Sequence, residues 1–342
     1  MGVLILSESQ FLIPGLVDTH IHGPQYVFTG TGYDLTLLKW LETYTFPKEA
    51  EFKSVDHASD VYSKVVGKSL KNFVKHLVEN IASPLVTPCI TPRFVPSCTS
   101  ELMEELGNIA EKYNLPIQSH ISENIGEIQW VKELHPDCDS YSHVYDKYKL
   151  MTNKTVMAHC VHLTPQERKL FKEKGVGISH CPNSNFCLHS GVLNVRRLIN
   201  EGFEKIGLGT DVAGGYSPSI MDAMRQALIS SKVIHIDSHA GEDEKYPALN
   251  FANVFYLATL GGAKVMDLDK KIGNFIVGKE FDALVVDISS QMGKPLLLSD
   301  NPGSSLVDQF KHDDHMSLFE KFIYLGDDRN FERMYVGGKR VF

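Results

Sequence analysis

The sequence lacks the long apolar runs that a membrane protein needs, since no stretch of 18 consecutive apolar residues occurs in its 342 positions. It also has little basic charge. Its 34 Lys and Arg residues stand against 42 Asp and Glu residues, the net charge is −8, and no basic run stands out. Nucleic-acid binders usually carry a basic patch or stripe. We therefore expect neither a membrane nor a nucleic acid among the partners of this chain.

Signals for export and for disulfide formation are missing as well. The six cysteines include no C-x-x-C pair, and the apolar start from Met1 to Leu6 is short and carries no basic residue. In a chain of this length without an export signal, cysteines are expected to be reduced thiols. These absences predict a cytoplasmic protein.

Alternating apolar and helical patterns predict an α/β fold with a parallel sheet. A length of 342 residues with 43% hydrophobic residues is enough for one large core and a smaller satellite. Short apolar runs alternate with helical periodicity, which is the pattern of repeated βα units. Six runs are predicted as strands: Leu16–His22, Leu85–Thr91, Leu115–Ile121, Thr155–His159, Val176–His180 and Lys205–Asp211.

Several helices are predicted between these strands. The clearest covers Val61–Ile81, where apolar residues recur at spacings of three and four. The best marked lies between Thr164, which suits an N-cap, and Gly175, which suits a C-terminal stop. Further helices are predicted at 102–113, 192–200, 221–233 and 250–260.

A change of pattern after Ile272 indicates a second, smaller unit. Glycines there separate short β-type runs at 273–278, 281–288, 322–325 and 334–342. We interpret this C-terminal part as a small β domain.

Most of the predicted strands end in a residue that can bind a metal or move a proton. These residues are His20 and His22 on the first strand, His120 on the third with Glu123 just beyond it, His159 on the fourth and Asp211 on the sixth. The carboxyl ends of strands in a parallel barrel share one face, where active sites form. Alternation along a strand also lets residues i and i+2 point to the same side. We therefore expect these side chains to converge.

Three imidazoles and a carboxylate suit Zn²⁺, and such a site can lower the pKa of a water from 15.7 to about 7. Taken singly, each residue has an ordinary structural explanation: a histidine on the rim, an aspartate in a turn, a glutamate at a helix start. Their order on successive strands favours a catalytic metal centre instead. His180 also ends a strand, but no role is assigned to it.

Several motifs resemble the amidohydrolase superfamily and, within it, the guanine deaminases. The superfamily motifs are Pro14-Gly-Leu-Val-Asp-Thr-His-Ile-His22, Gln118-Ser-His-Ile-Ser-Glu123, Met157-Ala-His159, His180-Cys-Pro-Asn-Ser-Asn185, Gly207-Leu-Gly-Thr-Asp211 and Gly273-x-x-x-x-Gly-Lys-x-x-Asp282. The motifs similar to guanine deaminases are Thr45-Phe46-Pro47, Thr91-Pro-Arg-Phe94, Thr210-Asp-Val-Ala-Gly-Gly215 and Tyr324-Leu-Gly-Asp-Asp-Arg-Asn330. The resemblance extends over nearly the whole chain.

The resemblance implies a fold, a metal and a reaction. The fold is a (β/α)8-type barrel with a small β-sandwich domain, and the reaction is the hydrolytic deamination of guanine to xanthine and ammonia in purine catabolism. One zinc ion per chain is implied, held by His20, His22, His120 and Asp211. The family also implies a homodimer.

The resemblance assigns further residues to catalysis and substrate binding. Glu123 is implied as the proton shuttle, with His159 and Asp211 stabilising the attacking oxygen. The purine is expected to be held by Gln25, Arg93 and Phe94. Arg93 and Gln25 can hydrogen-bond the polar edge of the purine, and Phe94 can stack on its face.

Two departures from the family pattern predict an incomplete barrel. Only 13 residues precede Pro14, and the Gly-Thr-Thr strand with further β/α units expected after Leu70-Lys71-Asn72 is absent. Six predicted strands are fewer than the eight of a standard barrel. We expect residues 1–13 to be a remnant of the small β domain, 14–272 the incomplete barrel with helix Val61–Ile81 filling its gap, and 273–342 the rest of the β-sandwich.

Two other functions remain open. One is a related deaminase or chlorohydrolase acting on another heterocycle, because the metal ligands are shared across the superfamily and only the pocket separates the substrates. The other is a non-catalytic, shortened form that binds full-length subunits.

Overall fold

Two β-sheets, one parallel and one antiparallel, organise the chain. The computed structural model describes residues 4–54, 56–57, 61, 86–237, 247–289 and 305–342. The parallel sheet contains, in spatial order, β2 (Ile117–Ile121), β3 (Thr155–His159), β4 (Gly177–His180) and β5 (Ile206–Leu208). The antiparallel sheet contains β1 (Gln10–Pro14), β6 (Ala283–Asp287), β7 (Phe331–Val336) and β8 (Lys339–Arg340).

The parallel sheet lies in the core because its strands are apolar. Every residue of β3, β4 and β5 is buried, as expected for a parallel sheet covered on both faces. The register places Ile121 beside His159 and His180 beside Leu208, so the carboxyl ends of the strands lie at one edge. Four of the six predicted strands are confirmed by this ladder.

The other two predicted strands flank the sheet without joining its ladder. On the β2 side, the part of 85–91 that is described makes one parallel bridge, between Ile90 and Ile117. On the β5 side, segment 16–22 is held by backbone hydrogen bonds. Thr19 N–H donates to Leu208 O over 2.9 Å, and Asp211 N–H donates to His20 O over 2.9 Å. The prediction of regular strands was wrong at both places, although each segment lies beside an edge strand of the parallel sheet.

Twelve α-helices are described. They are α1 (Leu37–Trp40), α2 (Phe46–Ala50), α3 (Ser100–Tyr113), α4 (Ile125–Leu134), α5 (Tyr141–Lys147), α6 (Pro165–Lys174), α7 (Pro182–Cys187), α8 (Val195–Asn200), α9 (Ile220–Asp237), α10 (Phe251–Tyr256), α11 (Gly262–Val265) and α12 (His315–Leu325). A π-helical turn, Leu41–Thr45, joins α1 to α2, and another, Leu257–Gly261, joins α10 to α11. No helix among these ranges is both long and apolar enough to cross a bilayer.

The ends of a helix could be predicted where the sequence carries capping residues. Thr164 accepts a hydrogen bond from Glu167 N–H, the Glu167 side chain returns to the Thr164 backbone, and Gly175 ends α6 with φ 69°. This is the predicted capping box and stop. The helices predicted at 102–113, 192–200, 221–233 and 250–260 are also confirmed, with shifted ends. Of helix Val61–Ile81, all but Val61 lies outside the described residues.

The C-terminal unit differs from its prediction in two places. Residues 322–325 belong to helix α12, because Asp314 caps the helix and Leu318 and Phe322 bury one face four residues apart. Residues 273–278 form turns. The other two predicted runs correspond to β6 and to β7 with β8.

Strand β1 belongs to this C-terminal sheet. It pairs with β6 along its whole length, from Gln10 beside Asp287 to Pro14 beside Ala283. Phe11 packs edge-on against Phe322 of α12, with ring centroids 5.5 Å apart. The two ends of the described chain therefore share one sheet, and the division at residues 13 and 272 stays a prediction.

Candidate active site

Four predicted ligands meet at the carboxyl edge of the parallel sheet. The donor atoms of His20, His22, His120 and Asp211 all lie within 4.8 Å of one another. His120 Nε2 is 3.1 Å from His20 Nε2 and 3.0 Å from His22 Nε2. Asp211 Oδ1 is 3.1 Å and 3.2 Å from the same two nitrogens. Tetrahedral zinc, with nitrogen ligands at about 2.0–2.1 Å, separates its donors by about 3.3 Å, so the cluster fits one ion.

Different parts of the chain bring these ligands together. His20 and His22 come from the extended segment beside β5, His120 from β2, and Asp211 from the turn after β5. Gly209 is needed for this approach, because a Cβ there would lie 2.5 Å from Ser179 Oγ and 2.9 Å from His20 Cβ.

Outer hydrogen bonds orient the imidazoles. His20 Nδ1 lies 3.0 Å from Gln118 Oε1, and His120 Nδ1 lies 2.6 Å from the carbonyl oxygen of Arg93. Both Nδ1 atoms can therefore donate outwards while both Nε2 atoms face the cluster. This is the usual support of histidine ligands by a second layer of acceptors.

The protonation states suit a cation. Burial lowers the pKa of His22 to about 4, and burial together with the neighbouring histidines lowers the pKa of His120 well below its usual value. For Asp211, burial acts to raise the pKa, but the contacts of its carboxylate with His20 and His22 and the charge of His159 bring it well below its usual value. Neutral imidazoles and an ionised carboxylate are the forms that bind metal.

A buried carboxylate and imidazole lie beside the cluster. Glu123 Oε2 is 3.4 Å from His159 Nε2, which is 3.8 Å from Asp211 Oδ2. Burial raises the pKa of Glu123. Burial acts to lower the pKa of His159, but the charges of Glu123 and Asp211 and a hydrogen bond with Asn185 raise it. Such coupled groups with shifted pKa values are typical of proton transfer.

His159 has one ring nitrogen satisfied and one directed to the site. Its Nδ1 lies 2.9 Å from Asn185 Oδ1, whereas Nε2 is buried and has no hydrogen-bond partner among the residues described. A buried polar atom of this kind is costly unless it meets a ligand. His180, at the end of β4, is buried with no described hydrogen bond at either nitrogen, and burial lowers its pKa to about 3.

A cleft opens onto the metal ligands. It contains all three residues predicted to bind substrate: Gln25 is 2% exposed, Phe94 is 5% exposed, and Arg93 forms an ion pair with Glu49 of α2. Apolar side chains complete the wall: Leu37, Trp40, Leu41 and Leu188. Mostly apolar walls with a few polar groups are typical of small-molecule sites. The roles of the individual residues stay predictions.

Two carboxylates near the cleft were not singled out by the sequence. Glu127 accepts hydrogen bonds from the Glu123 N–H over 2.9 Å and from the Tyr141 hydroxyl over 2.8 Å. Its signal was the capping box with Asn124 at the start of α4. Glu49 contacts both Gln25 and Arg93. Its only signal was its place two residues after the Thr45-Phe46-Pro47 motif.

Together, the parallel strands, the three histidines and aspartate at their carboxyl edge, and the adjacent buried glutamate define a metal-dependent hydrolase. The comparisons with known proteins agree. Residues 57–341 match the model of the amidohydrolase family. Guanine deaminase from Mus musculus is 44% identical, covering 98% of this chain and 84% of that protein. The chain belongs to the amidohydrolase family, among the guanine deaminases.

Two further comparisons support this placement. Guanine deaminase from Homo sapiens is 42% identical over 98% of this chain and 84% of that protein. The crystal structure of guanine deaminase from C. acetobutylicum, with guanine bound in its active site, superposes with a TM-score of 0.84 at 35% identity, covering 97% of this chain and 87% of that one. The fold neighbours are of the TIM-barrel type.

The alignments also show that this chain is shorter inside the matched region. The match with the mouse protein extends over 394 residues, although it uses 98% of a chain of only 342 residues. The relatives therefore carry residues within the matched span that this chain lacks. This agrees with the predicted loss of an internal segment.

Proposed function

We propose that this chain is a guanine deaminase, which hydrolyses the C2 amine of guanine to give xanthine and ammonia. The observation that carries the proposal is the convergence of four metal donors at a cleft containing Gln25, Arg93 and Phe94. The 44% identical relative and the guanine-bound structural neighbour support guanine as the substrate. Such a reaction belongs to purine catabolism.

We propose zinc, one ion per chain, as the metal. The donor set of three neutral imidazoles and one carboxylate suits Zn²⁺, and the spacing of the donors fits its bond lengths. When bound, the metal supplies a water that ionises near neutral pH. His20, His22, His120 and Asp211 hold it.

The proton transfers fall to Glu123. Its carboxylate takes a proton from the attacking water and delivers it to the purine ring nitrogen, while the new C2–O bond forms. Glu123 then takes the proton of the new C2 hydroxyl and passes it to the amino nitrogen. The C2–N bond breaks with its electron pair leaving on nitrogen, so ammonia departs and C2 keeps a carbonyl oxygen, which gives xanthine. The Ser190 hydroxyl donates a hydrogen bond to Glu123 Oε1 over 2.9 Å and fixes the carboxylate. His159 and Asp211 lie on the other side and stabilise the attacking oxygen.

The substrate is held by three residues of the cleft. Arg93 and Gln25 carry N–H donors that suit the carbonyl and ring nitrogens of guanine. Phe94 offers an aromatic surface and is itself held edge-on by Trp130, with ring centroids 6.2 Å apart. An apolar wall and a few donors give the orientation that brings C2 to the attacking oxygen.

Further proposals come from the sequence patterns and from the family. They are a barrel with about six strands, a partial β-sandwich formed by the antiparallel sheet, a homodimer and a cytoplasmic location. Size-exclusion chromatography with light scattering tests the homodimer, and a monomer of 38.3 kDa would contradict it.

The decisive experiment is ammonia release from guanine by the zinc-loaded protein. We expect xanthine and ammonia in equal amounts. A zinc-replete, folded protein that leaves guanine unchanged contradicts the proposal. Turnover of another aminated or chlorinated heterocycle then identifies a related hydrolase, whereas binding to full-length subunits without turnover identifies a non-catalytic form.

Arg93→Ala separates the first two possibilities, since Arg93 lines the pocket but binds no metal. We expect a strong loss of guanine turnover with zinc retained. If guanine turnover is indifferent to this change, a different substrate is favoured.

A further inference from the structure

Glu49 connects two of the residues that line the cleft. Its Oε1 accepts a hydrogen bond from Gln25 Nε2 over 3.0 Å and another from Arg93 Nη1 over 2.7 Å. Its Oε2 lies 3.0 Å from the same Arg93 nitrogen. Glu49 itself does not line the cleft. It therefore acts on the pocket through Gln25 and Arg93.

These contacts complete a chain of hydrogen bonds around the cleft. Gln25 Oε1 accepts from Ala213 N–H over 3.2 Å, two residues after the ligand Asp211. The Arg93 carbonyl oxygen lies 2.6 Å from Nδ1 of the ligand His120. The two sides of the metal cluster are thus joined through Gln25, Glu49 and Arg93. Removing Glu49 breaks this connection at its centre.

The position of Glu49 makes the contact more than a surface ion pair. Its side chain is 26% exposed and that of Arg93 is 23% exposed, whereas isolated surface pairs are more fully solvated. The helix that carries Glu49, α2, also places the Phe46 ring 5.9 Å from the Arg93 guanidinium carbon. One short helix therefore holds the guanidinium from two sides.

The charges matter as much as the geometry. Arg93 is always positive, and an arginine at a cleft wall attracts anions. Among the described residues, the carboxylate of Glu49 is the ion-pair partner of Arg93. The pair presents N–H donors without a net positive charge, which suits a neutral purine such as guanine.

We propose that Glu49 is a positioning residue that fixes Arg93 and Gln25 and balances the charge of Arg93, so that the cleft prefers a neutral purine to an anionic one. This inference rests on the proposed function, because it assigns Arg93 and Gln25 to the substrate. It predicts two separable effects. Loss of the carboxylate weakens guanine binding, and it relatively strengthens the binding of purine anions.

The test uses Glu49→Gln and Glu49→Asp in the zinc-loaded full chain, with Glu51→Gln as the matched control. Glu51 lies two residues further on and pairs with Lys48 at the surface. Glutamine keeps the length of the side chain but removes its charge. It also replaces one carboxylate oxygen with an NH2 group, which cannot accept the hydrogen bonds that Gln25 and Arg93 donate. Aspartate keeps the charge but is shorter by one methylene group. Zinc content and circular dichroism establish that each variant is folded and loaded.

For Glu49→Gln we expect kcat/KM for guanine to fall about 10- to 100-fold, mainly through KM, with zinc content unchanged. Inhibition by urate, an anion at neutral pH, should strengthen about threefold or more relative to inhibition by neutral hypoxanthine. Glu49→Asp should raise KM but keep the urate-to-hypoxanthine ratio of the wild type. Glu51→Gln should resemble the wild type in every measurement.

Two outcomes overturn the inference. One is unchanged guanine kinetics in Glu49→Gln. The other is an equal weakening of urate and hypoxanthine, which indicates a merely structural role. Calorimetric binding of the two purines does not require turnover, so Glu49 is tested even if the wild type fails to deaminate guanine. A wild type that does not deaminate guanine would contradict the proposed function, whereas the binding measurements would still decide the role of Glu49.

Discussion

The carboxylate of Glu123 lies 3.4 Å from the imidazole of His159, from Oε2 to Nε2, and both side chains are buried in the cleft beside Asp211. Burial raises the pKa of this carboxyl group above its ordinary value. A group that both gives and takes protons works best when its pKa is close to the working pH. The contact therefore places the residue that we propose as the proton shuttle beside the candidate metal cluster.

Glu123→Gln is expected to abolish most turnover while the metal stays bound. Glutamine keeps the shape and can still accept from Ser190, but it cannot carry a proton. A general acid or base usually contributes 10²- to 10⁴-fold, so kcat should fall by about that factor. Zinc analysis and ammonia release measure the two effects. Glu133→Gln, an exposed change on α4, is the control, and near-normal turnover in Glu123→Gln would remove the assigned role.

Asp211→Ala is expected to remove the metal. Asp211 contributes the one carboxylate of the cluster and contacts both His20 and His22. Zinc stoichiometry should fall well below one per chain, and the rise in Tm that zinc causes in the wild type should shrink, since a ligand stabilises a fold only by binding it. Asp139→Ala, at a side chain that is 93% exposed, should change neither. Full zinc retention in Asp211→Ala would show that the ion binds elsewhere.

The metal cluster was predictable because its signal is local and periodic. His20 and His22 alternate along one segment, and His120 and His159 end strands that neighbour each other in the sheet. Each predicted run of apolar residues therefore indicated where its last side chain would lie. The parallel order of the strands then brought their carboxyl ends to one edge of the sheet.

The features that the sequence did not predict depend on contacts between distant residues, which no local pattern encodes. Glu49 meets Gln25 and Arg93 at separations of 24 and 44 residues, so neither contact leaves a periodic signal. At 322–325, four apolar residues suit a strand or a helix equally well, and the distant packing of α12 decided for the helix. At Ile90, one isolated bridge forms with Ile117, and the described residues 86–89 add no further pairing.

Glu127 is expected to make stability depend on pH. Burial, together with the charge of Glu123, raises its pKa from 4.5 to about 7. Between these values the unfolded chain ionises the carboxyl while the folded chain keeps its proton, so the free energy of unfolding falls as the pH rises from 4.5 to 7. Over this range of pH, the shift of the Glu127 pKa lowers the free energy of unfolding by up to about 3 kcal/mol.

Glu127→Gln should therefore flatten the decline over that range of pH. Denaturant unfolding at pH 5, 6 and 7 measures the free energy of unfolding of both proteins. The stability of the variant relative to the wild type should increase as the pH rises. Glu105→Gln, an exposed change on α3, should leave the slope as it is. A parallel decline in Glu127→Gln and wild type would show that Glu127 is ionised in the folded protein throughout.

Gly209→Ala tests the close approach that brings His20 to the metal. A Cβ at this position would lie 2.5 Å from Ser179 Oγ, 2.9 Å from Cys181 Sγ and 2.9 Å from His20 Cβ, so the segment carrying His20 must move away from β5. Overpacking of this kind usually costs about 1–3 kcal/mol. We expect a lower Tm and a weaker affinity for zinc, because His20 is a ligand that shifts with its backbone.

The matched change is Gly15→Ala, where the added Cβ makes an ordinary contact of 3.5 Å with Asp282 Cβ. It should leave the affinity for zinc unchanged. Thermal melts with and without zinc separate the two effects of Gly209→Ala, since strain alone lowers both melting temperatures equally whereas a displaced ligand also reduces their difference. If the difference between the melting temperatures with and without zinc is unchanged, His20 keeps its position as a ligand although the neighbouring backbone is strained. The metal site would then tolerate a displacement at Gly209 that its close packing does not suggest.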